Sequence, residues 1–207
     1  ITTNAHASEV ASCSFDEQKR VLEITVDEVG DRLAVVSGIY ADGSLEAARL
    51  ARMAEAVGAA GLLVFPPNPF ALGAQARPEM ALAHFQTIAA ASDLPMIGFQ
   101  YPLAGGQGYA LETLLRLAET VPNLCAIKDW CNHVQSHERH IRVLKGLARP
   151  VKVLTTHSAW LLSSLVLGCD GLLSGAGSVI ADVQVALFQA VKRNDLARAR
   201  RLYDQAY

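Results

Sequence analysis

The chain has 207 residues, of which 51% are hydrophobic and 18% charged, and its formal net charge is -2. A chain of this length and composition buries a sizeable core, so a globular domain is expected rather than disorder. Its charges, of both signs and spread along the sequence, provide no basic surface for nucleic acid or an anionic membrane and point to a small-molecule partner.

The amino end, ITTNAHASEV, lacks the basic-then-apolar pattern of a signal peptide, and no apolar run approaches the roughly 20 residues of a membrane span. Cys13, Cys125, Cys131 and Cys169 form no CxxC pair and have no histidine beside them at metal-ligand spacing. Reduced thiols in a cytoplasmic protein are therefore expected, with no metal. Position 1 is isoleucine, which fits a segment of a longer chain.

After a short strand stub at Ile1–Asn4, helical spacing runs over Phe15–Val29 and a first full strand over Leu33–Ile39. A helix over Leu45–Val57 follows, with Ser44 as its N-cap and Gly58 as its stop. Then come strand Leu62–Phe65, helix Glu79–Ala91, strand Met96–Tyr101, helix Leu111–Thr120 and strand Cys125–Lys128. The pattern continues with helix Glu138–Leu147, strand Val151–Leu154, helix Trp160–Leu167, strand Gly171–Ser174, helix Val183–Lys192 and a last helix from Leu196.

The strands are apolar almost throughout, so both their faces should be covered, as in a barrel or a doubly wound sheet. No strand is followed by GxGxxG, and Gly105, Gly106 and Gly108 have the wrong spacing and read as a flexible loop. The expected fold is α/β, a (β/α)8 TIM barrel, in one domain spanning 1–207.

Active sites of such barrels lie at the carboxyl ends of the strands. Lys128 closes the run Leu124-Cys125-Ala126-Ile127. A lysine among apolar neighbours loses hydration of its charged form, which lowers its pKa and makes the amine nucleophilic. The plainer alternative is a lysine at the strand's mouth with its ammonium in water. His133, His137 and His140 have no carboxylate partner in view and read as a solvated helix start, not as metal ligands.

Several stretches, in order, carry a resemblance. They are Asp42-Gly43-Ser44-Leu45-Glu46-Ala47-Ala48, Ala56-Val57-Gly58-Ala59-Ala60-Gly61, Asp93-Leu94-Pro95-Met96-Ile97, Pro102, Ile127-Lys128 and Leu167-Gly168-Cys169-Asp170-Gly171. Over essentially its whole length the chain resembles the dihydrodipicolinate synthase and N-acetylneuraminate lyase family. That resemblance implies an imine between a pyruvate-like 2-oxo acid and Lys128, with no cofactor. It also implies a homo-oligomer. Against a complete member, the chain lacks the first strand and the C-terminal helices, and an open barrel of this kind would not be a stable autonomous unit.

Departures from the family are equally informative. The turn that holds the pyruvate carboxylate, Thr-Thr-Gly-Glu in the family, aligns with His6-Ala7-Ser8-Glu9, which loses one threonine hydroxyl at Ala7 and leaves Ser8 as a possible substitute. The proton-shuttling tyrosine aligns with Phe99 in Phe99-Gln100-Tyr101-Pro102, and Phe99 cannot exchange a proton. Tyr101, on the same strand face, and His6, because an imidazole is the side chain suited to proton transfer near neutral pH, are the candidate replacements. A tyrosine packed at the rim and a polar loop histidine are the plainer readings of these two.

Pro67-Asn68 replaces the family's Tyr-Tyr pair, and Ala104 an arginine that binds the second substrate. The resemblance places Thr155, Thr156, His157 and Ser174 at pocket-lining positions, and Trp130 beside them either walls the pocket or packs under a loop.

The expected function is thus a class I lyase, an aldolase or dehydratase acting on a 2-oxo acid. A non-catalytic family barrel that binds a 2-oxo acid or serves a regulatory role is the alternative. A phosphate-binding isomerase using Gly175-Ala176-Gly177-Ser178 is a third.

Overall fold

Strands and helices alternate through Ile1–Ala126, one of two compact units in the computed structural model; the other begins at Ile127, and residues 1–206 are described. The first unit runs β1 (Thr2–Thr3), α1 (Phe15–Val29), β2 (Val36–Ile39), α2 (Ser44–Val57), β3 (Gly61–Val64), α3 (Pro78–Ala89), β4 (Met96–Gln100) and α4 (Leu111–Thr120). Strands β1 to β4 pair in chain order, all parallel, with Thr2 opposite Val36, Val36 opposite Gly61 and Leu62 opposite Met96. Leu62, Leu63 and Val64 are 0% exposed, as an unbroken apolar run requires when both faces of the strand are covered.

Helix α1 starts where Ser14 and Glu17 cap each other. The Ser14 hydroxyl accepts from the Glu17 backbone N–H at 3.3 Å, and the Glu17 carboxylate accepts from the Ser14 N–H at 2.8 Å. Helix α2 stops at Gly58, whose φ of 98° is open to glycine, as the sequence predicted. Its start differs from expectation. Gly43 is the N-cap and Ser44 the first helical residue, because the Ser44 hydroxyl is taken by His84 Nδ1, 3.0 Å away. At the end of β1 the chain turns through Asn4 (φ 51°) across Gly38; a Cβ on Gly38 would stand 1.8 Å from the Asn4 carbonyl oxygen.

His84 sits on the buried face of α3, 1% exposed, edge-on to the rings of Phe70 and Phe85. Burial lowers its pKa to about 4. The unfolded chain, with histidine near 6.5, therefore binds a proton that the folded chain refuses, and stability is lost as pH falls from there toward 4. Between pH 7 and pH 5 this one group should cost about 2 kcal/mol. Urea unfolding at both pH values checks it: the wild type should weaken by that margin more than His84→Leu does.

Strand β5 (Leu124–Asp129) carries the chain from the first unit into the second. There follow α5 (Val134–Lys145), β6 (Lys152–Thr155), α6 (Leu161–Val166), β7 (Gly171–Leu172), α7 (Gly177–Lys192) and α8 (Leu196–Ala206). β6 and β7 are parallel, Leu154 opposite Gly171. Asp170 ties this part together: its carboxylate accepts from the Val153 N–H at 2.9 Å and pairs with Lys145 at 3.2 Å.

Most boundaries move by one or two residues from the sequence reading, and three move by three or more. β2 begins at Val36, since Leu33 is 51% exposed. Helix α5 begins a full turn before Glu138, and α7 begins at Gly177, in two pieces that meet at a non-helical Ile180 (φ -124°, ψ 40°). Strand-helix units with parallel pairing are consistent with most of a (β/α)8 barrel. Among the described residues no helix is long and apolar enough to cross a membrane.

Candidate active site

Lys128 is the penultimate residue of β5, preceded by Leu124, Ala126 and Ile127, which are all at most 4% exposed. The lysine is half-buried, and burial lowers its pKa to about 8. Since a charged ammonium is disfavoured there, a larger share of the side chain is the nucleophilic free amine near neutral pH.

Alternation along β5 turns the next side chain, Asp129, to the opposite face, where it is 0% exposed. Its Oδ2 accepts from His137 Nδ1 at 2.9 Å and His140 Nδ1 at 2.8 Å, and its Oδ1 from the Cys131 N–H at 2.8 Å. Hydrogen bonds from the two imidazoles hold the carboxyl well below the usual carboxylate range, outweighing burial. The expectation of a solvated helix start is thereby corrected. His137 and His140 are 0% and 5% exposed, and their carboxylate partner is Asp129. Only His133 is at the surface, where its Nδ1 caps α5 by accepting from the Ser136 N–H at 3.2 Å.

The network extends beyond Asp129. His137 Nε2 meets the Ser164 hydroxyl and, at 3.2 Å, Cys169 Sγ. Burial pushes the Cys169 thiol up to about 11, and burial with the Asp129 charge raises Cys131 further. All four cysteines are free. His157 is stacked on Trp160 with ring centroids 3.8 Å apart, and burial lowers its pKa to about 4.

The other strand-end candidates are placed as follows. Thr155 is the last residue of β6, fully buried, and its hydroxyl accepts from the His157 N–H at 3.2 Å. Thr156 donates its N–H to the Asp129 carbonyl at 3.3 Å. Ser174 lies beyond β7, its hydroxyl 3.3 Å from that of Ser158 and accepting from the Ala176 N–H at 3.2 Å. The Gly177 and Ser178 N–H groups turn back onto Ser174 and Gly175, which leaves the proposed phosphate loop fewer donors for a ligand. Trp130 is 44% exposed rather than packed beneath a loop.

In the first unit, His6–Ser8 forms one 3-10 turn, followed by Glu9 in the left-handed region (φ 54°). The turn closes on itself: the Ser8 N–H reaches the Ala5 carbonyl and the Glu9 N–H the His6 carbonyl, both at 3.0 Å. The Ser8 hydroxyl accepts from the Ala5 N–H at 3.0 Å and donates to the Ala5 carbonyl at 3.1 Å, so it staples the turn. Ala7 and Glu9 are exposed.

His6 and Tyr101 come together. The Tyr101 hydroxyl lies 3.1 Å from His6 Nε2 and 3.4 Å from Nδ1. Tyr101 is 7% exposed and packs edge-on against Phe99, ring centroids 4.6 Å apart; Phe99 in turn packs on Phe65. Burial, with Tyr40 nearby, raises the Tyr101 phenol above its ordinary value, so it remains protonated near neutral pH.

Tyr40 is the group the sequence reading missed. Its ring is edge-on to His6 at 5.3 Å, and its hydroxyl accepts from Asn68 Nδ2 at 3.1 Å. It follows directly on Ile39, the end of β2, so the strand-end rule that selects Lys128 would have found it.

Residues 3–206 match the model of the dihydrodipicolinate synthetase family, and the chain belongs to that family. A 4-hydroxy-tetrahydrodipicolinate synthase of Symbiobacterium thermophilum is 30% identical over 200 residues, covering 96% of this chain and 65% of the relative. An uncharacterized DapA-like lyase of Halobacterium salinarum is 30% identical over 197 residues, covering 92% and 60%. The crystal structure of dihydrodipicolinate synthase from Aquifex aeolicus superposes with a TM-score of 0.88 at 25% identity, over 99% of this chain and 68% of that one. The chain thus spans about three fifths of the length of curated relatives it matches.

Proposed function

We propose that this chain is the greater part of a class I lyase, an aldolase or dehydratase acting on a 2-oxo acid through a Schiff base on Lys128. One observation carries the reading: a half-buried lysine stands at the carboxyl end of β5, one residue before its last, at the position where the family resemblance puts the imine-forming residue. The Lys128 amine adds to the ketone carbon and water leaves, giving an imine. Loss of a proton from the neighbouring carbon, or of an aldehyde by cleavage of the carbon–carbon bond there, then gives an enamine, which in a dehydration expels a hydroxyl from the next carbon as water. A probable 2-dehydro-3-deoxy-D-pentonate aldolase of Escherichia coli is 27% identical over 194 residues, which supports including aldol chemistry in this reading.

His6 and Tyr101 are the proton carriers in this reading. Tyr101 supplies a phenol held in its acid form, and the imidazole 3.1 Å away takes up or returns its proton. The His6–Glu9 turn, with Ala7 in it, binds the 2-oxo acid's carboxylate; Ser8 acts by bracing the turn rather than as a ligand. Phe99, Thr155, Thr156 and Ser174 line the substrate's surroundings. In this reading the protein is cytoplasmic and self-associates.

Phe99, a ring without a hydroxyl at the shuttle position, favours a second reading, a family barrel that binds a 2-oxo acid without turning it over. Proton exchange separates the two. In D2O, the full-length enzyme should exchange the hydrogens next to the ketone of pyruvate, or of another member of a 2-oxo acid panel, as read by NMR. Tyr101→Phe should slow that exchange by about 100-fold or more. Folded protein that exchanges no member of the panel would leave the non-catalytic barrel as the account.

A further inference from the structure

Asp129, Cys131, His137 and His157 each offer one ligand atom such that all of these atoms lie within 4.8 Å of one another, and all four residues are buried. Ligand atoms around a tetrahedral zinc ion, at bond lengths near 2.0 to 2.3 Å, stand about 3.3 to 3.8 Å apart. Side-chain adjustments on the order of 1 Å would therefore close the group on an ion.

A second observation points the same way. His157 is 4% exposed, and its Nε2 is buried with no hydrogen-bond partner among the described residues. Leaving a buried polar atom unpaired is costly, and a metal ion satisfies an imidazole nitrogen as well as a hydrogen bond does.

We propose that these four side chains bind a divalent transition-metal ion, with Zn2+ the best chemical match. One carboxylate, one thiolate and two imidazoles form a borderline donor set that suits zinc and disfavours Mg2+ or Ca2+. On binding, the Cys131 thiol proton leaves to solvent. The carboxylate and thiolate then balance the dication, so the buried group as a whole is neutral.

The surroundings supply the outer hydrogen bonds such a site needs. His140 holds Asp129 Oδ2 at 2.8 Å and the Cys131 N–H holds Oδ1 at 2.8 Å. Whichever ring nitrogen His137 gives to the ion, the other keeps a partner, Asp129 on one side or Ser164 on the other. With four protein ligands the site is closed. Its role is structural, a clip joining the end of β5, helix α5 and the loop after β6, and it does not depend on the imine chemistry of Lys128.

Cobalt is the probe. Full-length protein stripped with a chelator and titrated with Co2+ should take up one equivalent per chain with tetrahedral d–d absorption and a thiolate-to-cobalt charge-transfer band. Cys131→Ser should lose that band, Cys169→Ser should keep it, and His157→Ala should weaken binding at least 10-fold. Zn2+ should displace the cobalt and raise the wild type's unfolding midpoint, a readout independent of whether the variants fold. A folded, stripped wild type that takes up neither ion at micromolar free concentration would overturn the proposal. So would a charge-transfer band that survives Cys131→Ser, or an unfolding midpoint indifferent to zinc.

Discussion

Lys128→Met should abolish both the covalent adduct with a 2-oxo acid and the exchange of its neighbouring hydrogens, lowering the catalysed rate by roughly 1,000-fold or more. Methionine has nearly the same length and suits the apolar run of Leu124, Ala126 and Ile127, so the packing of β5 is kept. The substitution also removes an ammonium whose charged form burial disfavours. The unfolding midpoint should therefore stay level or rise while activity disappears, as expected of a residue maintained for chemistry rather than for stability. Steady-state rates and urea unfolding on the same preparations check the pair of outcomes. A variant that unfolds more easily but still turns over would make Lys128 a structural residue.

Asp129→Ala should act the opposite way, through stability. The carboxylate receives three buried donors, from His137, His140 and the Cys131 N–H, all at 2.8–2.9 Å. Removing it leaves the buried Nδ1 atoms of His137 and His140 and the Cys131 N–H without their acceptor. The expected loss is about 3–5 kcal/mol, the range for breaking a buried charged network by deleting one partner. Urea unfolding of the full-length protein measures it. A loss below about 1 kcal/mol would mean that water reaches these groups and replaces the carboxylate.

Much of the architecture was legible because its physical cause is local. Helices α1 and α4 begin and end where the spacing of apolar residues put them, and Gly58 stops α2 through a backbone conformation that glycine permits. Lys128 was legible because a lone lysine closing an apolar strand is conspicuous. The pairing of His6 with Tyr101 was less so. Sequence made each a candidate, but only the fold brings residues 95 positions apart to 3.1 Å.

The histidines of α5 show why the rest was missed. Starting that helix at Glu138 excluded His137 and broke the stripe His137, His140, Ile141, Leu144, whose spacing marks one buried helical face. With the helix begun at Val134, both imidazoles fall on the core side. The acid that satisfies them then stands next to Lys128, eight and eleven residues earlier. Treating histidine as polar hid a face that histidine shares with leucine. His84 was overlooked on α3 for the same reason, among Ala81, Leu82, Phe85 and Ile88.

Borohydride trapping tests the central claim most directly. The full-length protein is incubated with pyruvate and a panel of 2-oxo acids, reduced, digested and mapped by peptide mass spectrometry. The account predicts a reduced adduct on Lys128 and its absence in Lys128→Met. No adduct with any 2-oxo acid on folded protein, or an adduct on a different lysine, would contradict it.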